Sequence, residues 1–307
     1  MTTAFITHRD CWLHDMGTFH PECPDRLSAI NDRLIAAGLD LYLSFYDAPE
    51  ATAEQVARAH APGYLEELLA NVPEHGIRHL DPDTAMSPGT MRAALRSAGA
   101  GVLATDLVMS GEIENAFCAV RPPGHHAERA KAMGFCFLNN IAIAVRHATE
   151  VHGLKRVAIV DFDVHHGNGT EDIFREDPRV MMASIFQHPF YPYSGADNPP
   201  AHMCNIPVPA GTRGEAFRQI VSEVWVPALR NHNPQAIFIS AGFDAHYEDD
   251  MGSLGLVESD YVWATEQIKG VAEDCGHKRI ISILEGGYAL SSLARSVVAH
   301  IKSLADL

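Results

Sequence analysis

Histidine and carboxylate side chains occur in this sequence at spacings that suit a metal centre. The chain contains 18 histidines among its 307 residues. Asp163 and His165 lie two positions apart at the end of an apolar run, and on an extended segment residues i and i+2 project to the same side. Asp244 follows another apolar run and would complete a three-ligand set. Three protein ligands leave one position open for water, which is typical of catalytic rather than structural zinc.

An adjacent pair of histidines could move protons beside such a metal. His125 and His126 follow a Pro-Pro-Gly segment that stiffens the chain. Next to a metal-activated water, the pair would serve as general base and acid. Each imidazole needs a partner that fixes its tautomer, and Asp161 and Asn168 are the candidates for that role.

A tyrosine after two glycines offers a hydrogen-bond donor. Tyr288 can reach into a pocket without crowding from its neighbours, and a phenol opposite a metal would stabilise an oxyanion. Its Gly-Gly pair lacks the spacing of a phosphate-binding loop. Taken singly, an Asp-x-His pair is typical of a helix cap beside a buried histidine, and a Gly-Gly-Tyr segment of a core tyrosine. Their joint occurrence after separate apolar runs favours a catalytic site.

The elements that position these groups follow from the apolar pattern. Short continuous apolar runs predict parallel strands buried on both faces: Ala116–Val120, Val157–Phe162, Val180–Phe186, Ala236–Ala241 and Ile280–Leu284. Segments with helical spacing alternate with them: Thr90–Met109, Asn140–His152, Arg213–Asn231 and Glu258–Cys275. This alternation predicts an α/β fold with helices on both faces of a parallel sheet. Such sheets place their site at the carboxyl ends of the strands. We predict one domain over residues 1–307, because the sequence contains neither a repeat nor a linker.

Composition narrows the class of protein. The formal charge is −16, from 23 Lys and Arg against 39 Asp and Glu. This acid excess argues against nucleic acid or an anionic membrane as a partner and favours a cationic substrate. The six cysteines form no CxxC pair, so neither a disulfide framework nor a cysteine zinc site is expected. Met1–Asp10 lacks the pattern of a secretory signal, and the apolar runs fall short of a membrane span. We therefore expect a cytoplasmic protein.

Several motifs together resemble the zinc-dependent histone deacetylase family. They are RPPGHH, GFCFLNN (Gly134–Asn140), DFDVHHGNGT, SAGFDAH and LEGGY, in this order. HPECPDR (His20–Arg26) is similar to a motif of class II-like bacterial members, the histone deacetylase-like amidohydrolases. The resemblance covers nearly the whole chain. It implies the arginase–deacetylase fold, a three-layer α/β/α sandwich around a mostly parallel eight-stranded sheet.

The resemblance implies a role for each residue of the predicted site. The ligands of one catalytic Zn2+ would be Asp163, His165 and Asp244. His126, with Asn168 as its partner, would be the general base and then the general acid. His125, paired with Asp161, would assist electrostatically. Tyr288 would polarise the amide carbonyl and hold the oxyanion.

The resemblance also implies a tunnel for an acyl-lysine side chain. Its substrate-binding residues would include Gly134, Phe135, Tyr191 and Met251, and many relatives have Phe in place of Tyr191. Polyamine-selective relatives carry a glutamate near the position of Met251, a feature that this chain lacks. Arg26 would lie at the inner end, near the acetate exit. A rim aspartate that grips the substrate backbone would be Asp81 or Asp83, and the sequence leaves both open.

Structural potassium is a further implication of the resemblance. One K+ would lie beside the zinc and involve Asp161, Asp163, His165, Ser184 and Ile185, several through backbone carbonyls. A second, more remote K+ would involve Phe174, Asp177, Val180 and His202.

Two positions indicate the subtype. Asn168 stands where class I relatives have Asp, which resembles class II and should raise the proton affinity of His126 less than a carboxylate would. Tyr288 is retained where the weakly active class IIa branch has His, so turnover is expected.

The expected function is zinc-dependent removal of acetyl, or another short acyl group, from lysine side chains of proteins or peptides. An acetylpolyamine or other small-molecule amide deacetylase with the same mechanism is the alternative, since an acidic surface attracts either substrate. An arginase-like ureohydrolase needs two Mn2+ and an Asp-x-Asp pair, which SAGFDAH does not supply. A non-catalytic acyl-lysine reader does not explain the intact set of site residues. An Asp2His site would also accept Fe2+ or Co2+, and the oligomeric state stays open, a homo-oligomer included.

Overall fold

An eight-stranded sheet organises residues 3–307, the part of the chain that the computed structural model describes. Met1 and Thr2, which belong to the predicted domain and to the segment assessed for a secretory signal, lie outside the described residues. The strands of this sheet are β1 (Thr3–Thr7), β2 (Leu43–Asp47), β5 (Asn115–Cys118), β6 (Val157–Asp161), β7 (Val180–Gln187), β8 (Met203–Val208), β9 (Ile237–Ala241) and β10 (Ile280–Leu284). A small antiparallel pair is formed by β3 (Arg78–His79) and β4 (Ala85–Met86).

The strands of the main sheet run in the order β2-β1-β5-β10-β9-β6-β7-β8, and every neighbouring pair is parallel. The prediction of a mostly parallel eight-stranded sheet is therefore confirmed, and the sheet is parallel throughout. Residues of β6, β7, β9 and β10 are buried along their whole length. Burial on both faces explains why their sequences are continuously apolar.

Helices cover both faces of the sheet. They are α1 (Asp25–Ala36), α2 (Ala53–Ala57), α3 (Tyr64–Ala70), α4 (Thr90–Ser110), α5 (Asn140–Glu150), α6 (Asn168–Phe174), α7 (Gly214–Ile220), α8 (Val226–His232), α9 (Glu258–Asp274) and α10 (Leu290–Leu304). One layer brings α4 against α5, and the other packs α10 against α1 and α9. The three-layer prediction is thus confirmed. Within residues 3–307, no helix combines the length and the apolar character needed to cross a bilayer.

One predicted helix differs from the structure. Arg213–Asn231 was expected to be continuous, but the segment divides into α7, a π-helical turn at Val221–Trp225, and α8. Pro227 lies in the first turn of α8 and lacks the N–H that an uninterrupted α-helix would use. The wider π turn carries the chain past that missing donor.

Three strands of the main sheet, and the short pair β3 and β4, escaped the sequence-based prediction. The edge strands β2 and β8 alternate between buried and more exposed residues, so they lack the continuous apolar signal of the central strands. The buried strand β1 is short and lies at the start of the chain. By contrast, β10 has the predicted bounds, β6, β7 and β9 differ from theirs by one residue at one end, and β5 differs by one residue at its start and two at its end.

The strand order determines which loops meet. Strands β5, β10, β9 and β6 are consecutive neighbours in the sheet, and they are followed by the segments that carry RPPGHH, LEGGY, SAGFDAH and DFDVHHGNGT. Because parallel neighbours end at the same edge of a sheet, the four segments converge there.

Candidate active site

Three buried side chains with metal-ligating atoms meet at this edge. Asp163 and His165 follow β6, and Asp244 follows the neighbouring strand β9. His165 Nδ1 lies 3.0 Å from Asp163 Oδ1 and 3.2 Å from Asp244 Oδ2. One ligand atom from each of the three residues lies within 4.8 Å of the others. The fold thus brings the predicted zinc ligands into one small volume.

The donor set fits a divalent cation. Asp244 Oδ1 accepts a hydrogen bond of 2.8 Å from the Val164 backbone N–H. Asp244 Oδ2 is buried and, apart from His165 Nδ1 at 3.2 Å, which is not aligned for a hydrogen bond, lacks a partner within the described part of the chain. Burial, reinforced by the nearby charge of Asp163, raises the pKa of Asp244 to about 7. An uncapped carboxylate oxygen beside a second buried carboxylate is stabilised by a bound cation.

The backbone approaches the two carboxylates very closely. The Gly286 N–H donates to Asp163 Oδ2 at 2.9 Å. A Cβ atom at Gly286 would overlap the carboxylates of Asp163 and Asp244. The first glycine after Glu285 in LEGGY is therefore required by its close approach to Asp163 and Asp244, a contact that sequence spacing does not reveal.

A second group of possible ligands is organised differently. Asp106, His147 and His152 lie near one another at the ends of α4 and α5. Arg58 Nη1 lies 3.0 Å from His147 Nδ1, and because a guanidinium can only donate, this nitrogen must accept. His147 Nε2 then carries the proton and donates to Asp106 Oδ1 at 2.7 Å. With its lone pair turned to Arg58, this histidine is set for hydrogen bonding rather than for metal ligation.

The histidine pair lies beside the predicted metal centre, and each ring has its own partner. His125 Nδ1 is 3.0 Å from Asp161 Oδ2, and His126 Nδ1 is 2.7 Å from Asn168 Oδ1. The two ring centroids are 4.0 Å apart, and the His126 ring lies 5.7 Å from that of His165. These are the pairings that the sequence-based hypothesis assigned.

The surroundings shift the pKa values of the two histidines in opposite directions. Burial lowers the pKa of His125, but the carboxylates of Asp163 and Asp161 outweigh this effect and raise it to about 10. For His126, burial lowers the pKa well below its ordinary value, and the positive charge of His125 acts in the same direction. One imidazole is thus held as a cation and the other as a neutral base.

Glu285 anchors the loop that carries the pair. Its Oε2 accepts hydrogen bonds from the backbone N–H groups of Gly124 at 2.6 Å and His125 at 3.0 Å. Burial raises the pKa of Glu285 to about 7. Glu285 belongs to the LEGGY motif, but the sequence-based prediction gave it no role. A glutamate directly after a buried strand was the available signal.

A cavity of about 270 Å3 leads to the centre. Its lining residues are His126, Gly134, Phe135, His165, Phe190, Tyr191, Asp250, Met251 and Tyr288. All four tunnel residues expected from the sequence are among them, and Phe190 and Asp250 are additional. The Phe190 ring stacks on His165 with centroids 5.4 Å apart. Aromatic side chains therefore surround the path to the centre.

The wall at Gly134 and Phe135 depends on an unusual backbone. Both residues have positive φ angles, of 56° and 67°. A Cβ atom at Gly134 would overlap the ring of His126, so only glycine permits this approach. The turn holds the Phe135 ring edge-on to Tyr288 with centroids 5.8 Å apart.

Tyr288 is held from two sides. The buried Arg26 places its guanidinium carbon 4.9 Å from the Tyr288 ring centroid and donates to the Gly287 carbonyl at 2.6 Å. Asp249 Oδ2 accepts hydrogen bonds from the Tyr288 and Ala289 backbone N–H groups at 2.6 and 2.9 Å. Burial raises the pKa of the Tyr288 phenol well above its ordinary value, so the hydroxyl keeps its proton. The sequence-based prediction did not identify Asp249 as a residue of the site.

The structure distinguishes between the two candidate rim aspartates, Asp81 and Asp83, by their contacts. Asp81 Oδ1 accepts from the backbone N–H groups of Asp83 and Thr84 at 3.0 and 2.6 Å, so it closes its own turn. Asp83 Oδ1 is 3.3 Å from the backbone nitrogen of the tunnel residue Gly134. Asp83 is therefore the one that lies against the tunnel wall.

The residues expected around potassium also lie together. Asp161 and Ser184 are register partners on β6 and β7, and Ile185 is the next residue of β7. Ser184 Oγ is buried without a hydrogen-bond partner among residues 3–307. In the second, remote set, His202 Nε2 lies 3.2 Å from the Phe174 carbonyl, and the Val180 N–H donates to the Asp177 carbonyl at 3.0 Å.

Known proteins resemble the chain over most of its length. A family model described as "Histone deacetylase domain" matches residues 20–304. The "Histone deacetylase-like amidohydrolase" of Pseudomonas aeruginosa is 35% identical, with 94% of this chain and 77% of that protein covered. The "Polyamine deacetylase HDAC10" of Mus musculus is 34% identical over 99% of this chain but only 48% of that protein. The crystal structure of the HDA15 HD domain superposes with a TM-score of 0.92 at 32% identity, covering 99% of this chain and 90% of that one.

Proposed function

Because the chain belongs to the histone deacetylase family and is a hydrolase acting on amides, we propose that it removes acetyl or another short acyl group from lysine side chains of peptides or proteins. The observation that carries this proposal is that three chemical groups adjoin one apolar tunnel. They are the Asp163–His165–Asp244 centre, the neutral imidazole of His126 and the phenol of Tyr288.

We assign Zn2+ to Asp163, His165 and Asp244, in a family that is generally metal-dependent. When bound, zinc supplies Lewis acidity, which polarises the amide carbonyl and acidifies the attacking water. The orphaned Asp244 Oδ2 supports this assignment. Because Ser184 Oγ also lacks a partner within the described residues, we assign the predicted K+ to the neighbourhood of Asp161, Ser184 and Ile185.

The chain's own residues then carry the protons. His126 Nε2, the nitrogen that Asn168 does not engage, accepts a proton from the attacking water as the new C–O bond forms. The Tyr288 hydroxyl donates a hydrogen bond to the carbonyl oxygen as negative charge develops there. When the C–N bond breaks, His126 donates its proton to the leaving amine. The fixed cation of His125, paired with Asp161, stabilises negative charge nearby.

The tunnel suits a slim, apolar side chain with a charged group outside. The rings of Phe135, Phe190 and Tyr191 line the cavity and would pack against the methylene groups of an acylated lysine. Asp83 and Asp250 are carboxylates next to the tunnel and would attract the backbone N–H groups or neighbouring cations of the substrate. Met251 would contact the substrate at the same mouth.

An acetylated polyamine, or another small-molecule amide, is the alternative substrate. The exposed carboxylate of Asp250 and the formal charge of −16 favour a substrate with a free ammonium group beyond the amide. Mus musculus HDAC10, a relative of this chain, is named a polyamine deacetylase. On the other side, Met251 offers no charge to such an ammonium. A cytoplasmic location remains a prediction of the sequence, which leaves the oligomeric state open, a homo-oligomer included.

The deciding experiment compares two substrates on the zinc-loaded protein. We expect kcat/KM for an acetyl-lysine peptide to exceed that for N-acetylputrescine by about tenfold or more, which corresponds to roughly 1.4 kcal/mol. The reverse ratio would assign the protein to small cationic amides. The variant Asp244→Asn, which lacks one proposed ligand, is the control for activity from a contaminating hydrolase. Turnover of neither substrate would reject both assignments.

A further inference from the structure

We propose that Glu128 is a positioning residue that sets the tautomer of His126 by fixing the orientation of the Asn168 side chain. This inference rests on the proposed function of His126 as the general base. It extends the site by one residue, a half-buried glutamate two positions after the histidine pair, to which neither the motifs nor the comparisons give a role.

A continuous hydrogen-bonded chain links the three side chains. Glu128 Oε1 lies 2.8 Å from Asn168 Nδ2, and Asn168 Oδ1 lies 2.7 Å from His126 Nδ1. The backbone of Glu128 is fixed on both sides. Its N–H donates to the Lys131 carbonyl at 2.9 Å, and its own carbonyl lies 3.0 Å from His60 Nδ1. The backbone position from which the carboxylate reaches the amide is therefore fixed.

The neighbours of the amide nitrogen are all acceptors. Besides Glu128 Oε1, they are the Met133 sulfur at 3.3 Å and the His126 carbonyl at 3.5 Å. A flipped Asn168 would turn its oxygen towards these groups and lose every one of these contacts. The thioether is a weak acceptor and the carbonyl is distant, so the ionised carboxylate supplies most of the preference.

The orientation of the amide determines where His126 carries its proton. With Oδ1 of Asn168 facing Nδ1, that nitrogen must donate, and the lone pair of the neutral ring stays on Nε2. A flipped amide would present an N–H to Nδ1 and would favour the tautomer with its proton on Nε2. That tautomer has no lone pair on the nitrogen that must accept a proton from water. Glu128 thus selects the competent form of the base through the amide between them.

The test replaces the acceptor Glu128 by a donor. A second substitution then restores the order of donors and acceptors between residue 128 and His126. In Glu128→Lys, the ammonium can only donate, so it should turn the oxygen of Asn168 towards itself. The double variant Glu128→Lys with Asn168→Asp places a carboxylate between two donors, Lys Nζ and His126 Nδ1–H. Glu128→Gln keeps an acceptor oxygen and removes only the charge. Asp172→Asn is the matched control, because Asp172 borders the same cavity of about 420 Å3 as Glu128 but bonds the Arg129 N–H instead of Asn168.

We expect kcat of Glu128→Lys to fall by about 100-fold or more, since a wrong tautomer at a catalytic histidine is known to cost as much as about 10⁴. KM and zinc content should stay at wild-type values, because the tunnel and the ligands are untouched. The double variant should return to within about tenfold of wild type, and Glu128→Gln should lose less than Glu128→Lys. Equal losses in Glu128→Lys and in the double variant would overturn the proposal, as would a loss in Asp172→Asn of the same size.

A spectroscopic readout keeps the inference separate from the identity of the substrate. The 15N shifts of the His126 ring distinguish its two neutral tautomers, with signals assigned by comparison with His126→Gln. The zinc-loaded wild type should show the proton on Nδ1, and Glu128→Lys should show it on Nε2. This result would support the role of Glu128 even if neither test substrate were turned over. Identical tautomers in the two proteins would overturn it, whatever the activity.

Discussion

Each ionisable group of the site owes its charge to its immediate neighbours. His125 is buried against the carboxylates of Asp161 and Asp163 and stays cationic. His126, one residue away, is buried against an amide and two other imidazoles and stays neutral. Tyr288 keeps its proton because burial penalises the phenolate. One cation, one base and one hydrogen-bond donor are thus produced by the surroundings rather than by residue type alone.

The role of Tyr288 as the hydrogen-bond donor can be tested by removing its hydroxyl oxygen. We expect Tyr288→Phe to lower kcat by about 10² to 10³, the usual loss when one oxyanion donor is deleted. Its zinc content should match wild type, because Tyr288 belongs to the tunnel wall and not to the ligand set. Tyr42→Phe, at a side chain that is 63% exposed, is the control and should leave kcat unchanged. Retained turnover in Tyr288→Phe would show that the phenol is not the donor.

At the scale of elements, the site depends on loops that approach one another at the strand ends. Strands β6, β9 and β10 are neighbours, so the loops after them touch. Gly286 after β10 bonds the carboxylate of Asp163 after β6. Asp249, in the loop after β9, accepts the backbone N–H groups of Tyr288, Ala289 and Met251. The same carboxylate thus fixes the proposed donor and a residue of the tunnel mouth.

A single methyl group tests the contact at Gly286. In Gly286→Ala the new Cβ would press on the carboxylates of Asp163 and Asp244, two of the proposed zinc ligands, so we expect zinc affinity to fall by about tenfold or more. The zinc affinity is measured by titration with zinc, with the bound metal quantified by elemental analysis. Gly270→Ala in α9 is the matched control, because its methyl would meet no heavy atom within 4 Å in the described structure beyond its chain neighbours and the backbone of its own helix. That variant should bind zinc normally and gain about 0.4–1 kcal/mol in the free energy of unfolding. Unchanged zinc affinity in Gly286→Ala would contradict the close approach.

The Asp249 clamp predicts a loss of stability. Asp249→Asn turns one acceptor oxygen into a donor that faces backbone N–H groups, so we expect about 1–3 kcal/mol of destabilisation in chemical unfolding, together with a lower kcat. Its neighbour Asp250 is exposed and borders the tunnel. Asp250→Asn should therefore keep wild-type stability and raise KM for a cationic substrate. Equal stability of the two variants would exclude a clamp at Asp249.

At the scale of the whole molecule, an apolar tunnel lies within a strongly acidic protein. The tunnel selects shape, while the formal charge of −16 acts at longer range on any charged substrate. Salt screens this attraction over a Debye length of about 8 Å at physiological ionic strength. Substrate charge should therefore matter more at low salt.

The charge effect can be measured with two acetyl-lysine peptides that differ only in flanking charge. Between about 0.01 and 0.15 M salt, we expect kcat/KM for the cationic peptide to fall by about threefold or more. The anionic peptide should show no change or a rise over the same interval. Parallel decreases for both peptides would mean that salt acts on the enzyme itself rather than on the attraction.

The sequence by itself determined the parallel sheet, the strand ends that carry the site and the identity of the residues expected to ligate and to transfer protons. These follow from local signals, since a strand buried on both faces must be continuously apolar and parallel strands present their carboxyl ends at one edge. It did not reveal the alternating edge strands or the π turn before Pro227.

Only the tertiary structure decided which side chains meet around that set. Glu285 bonds the backbone of Gly124 across 161 residues, and Glu128 bonds Asn168 across 40. Whether Asp81 or Asp83 faces the tunnel depends on a contact with Gly134, 51 residues after Asp83. Such contacts depend on how loops pack in three dimensions, and no short-range periodicity records them. The residue types establish what chemistry is available, and the packing of the loops determines the charge state and orientation in which each group can act.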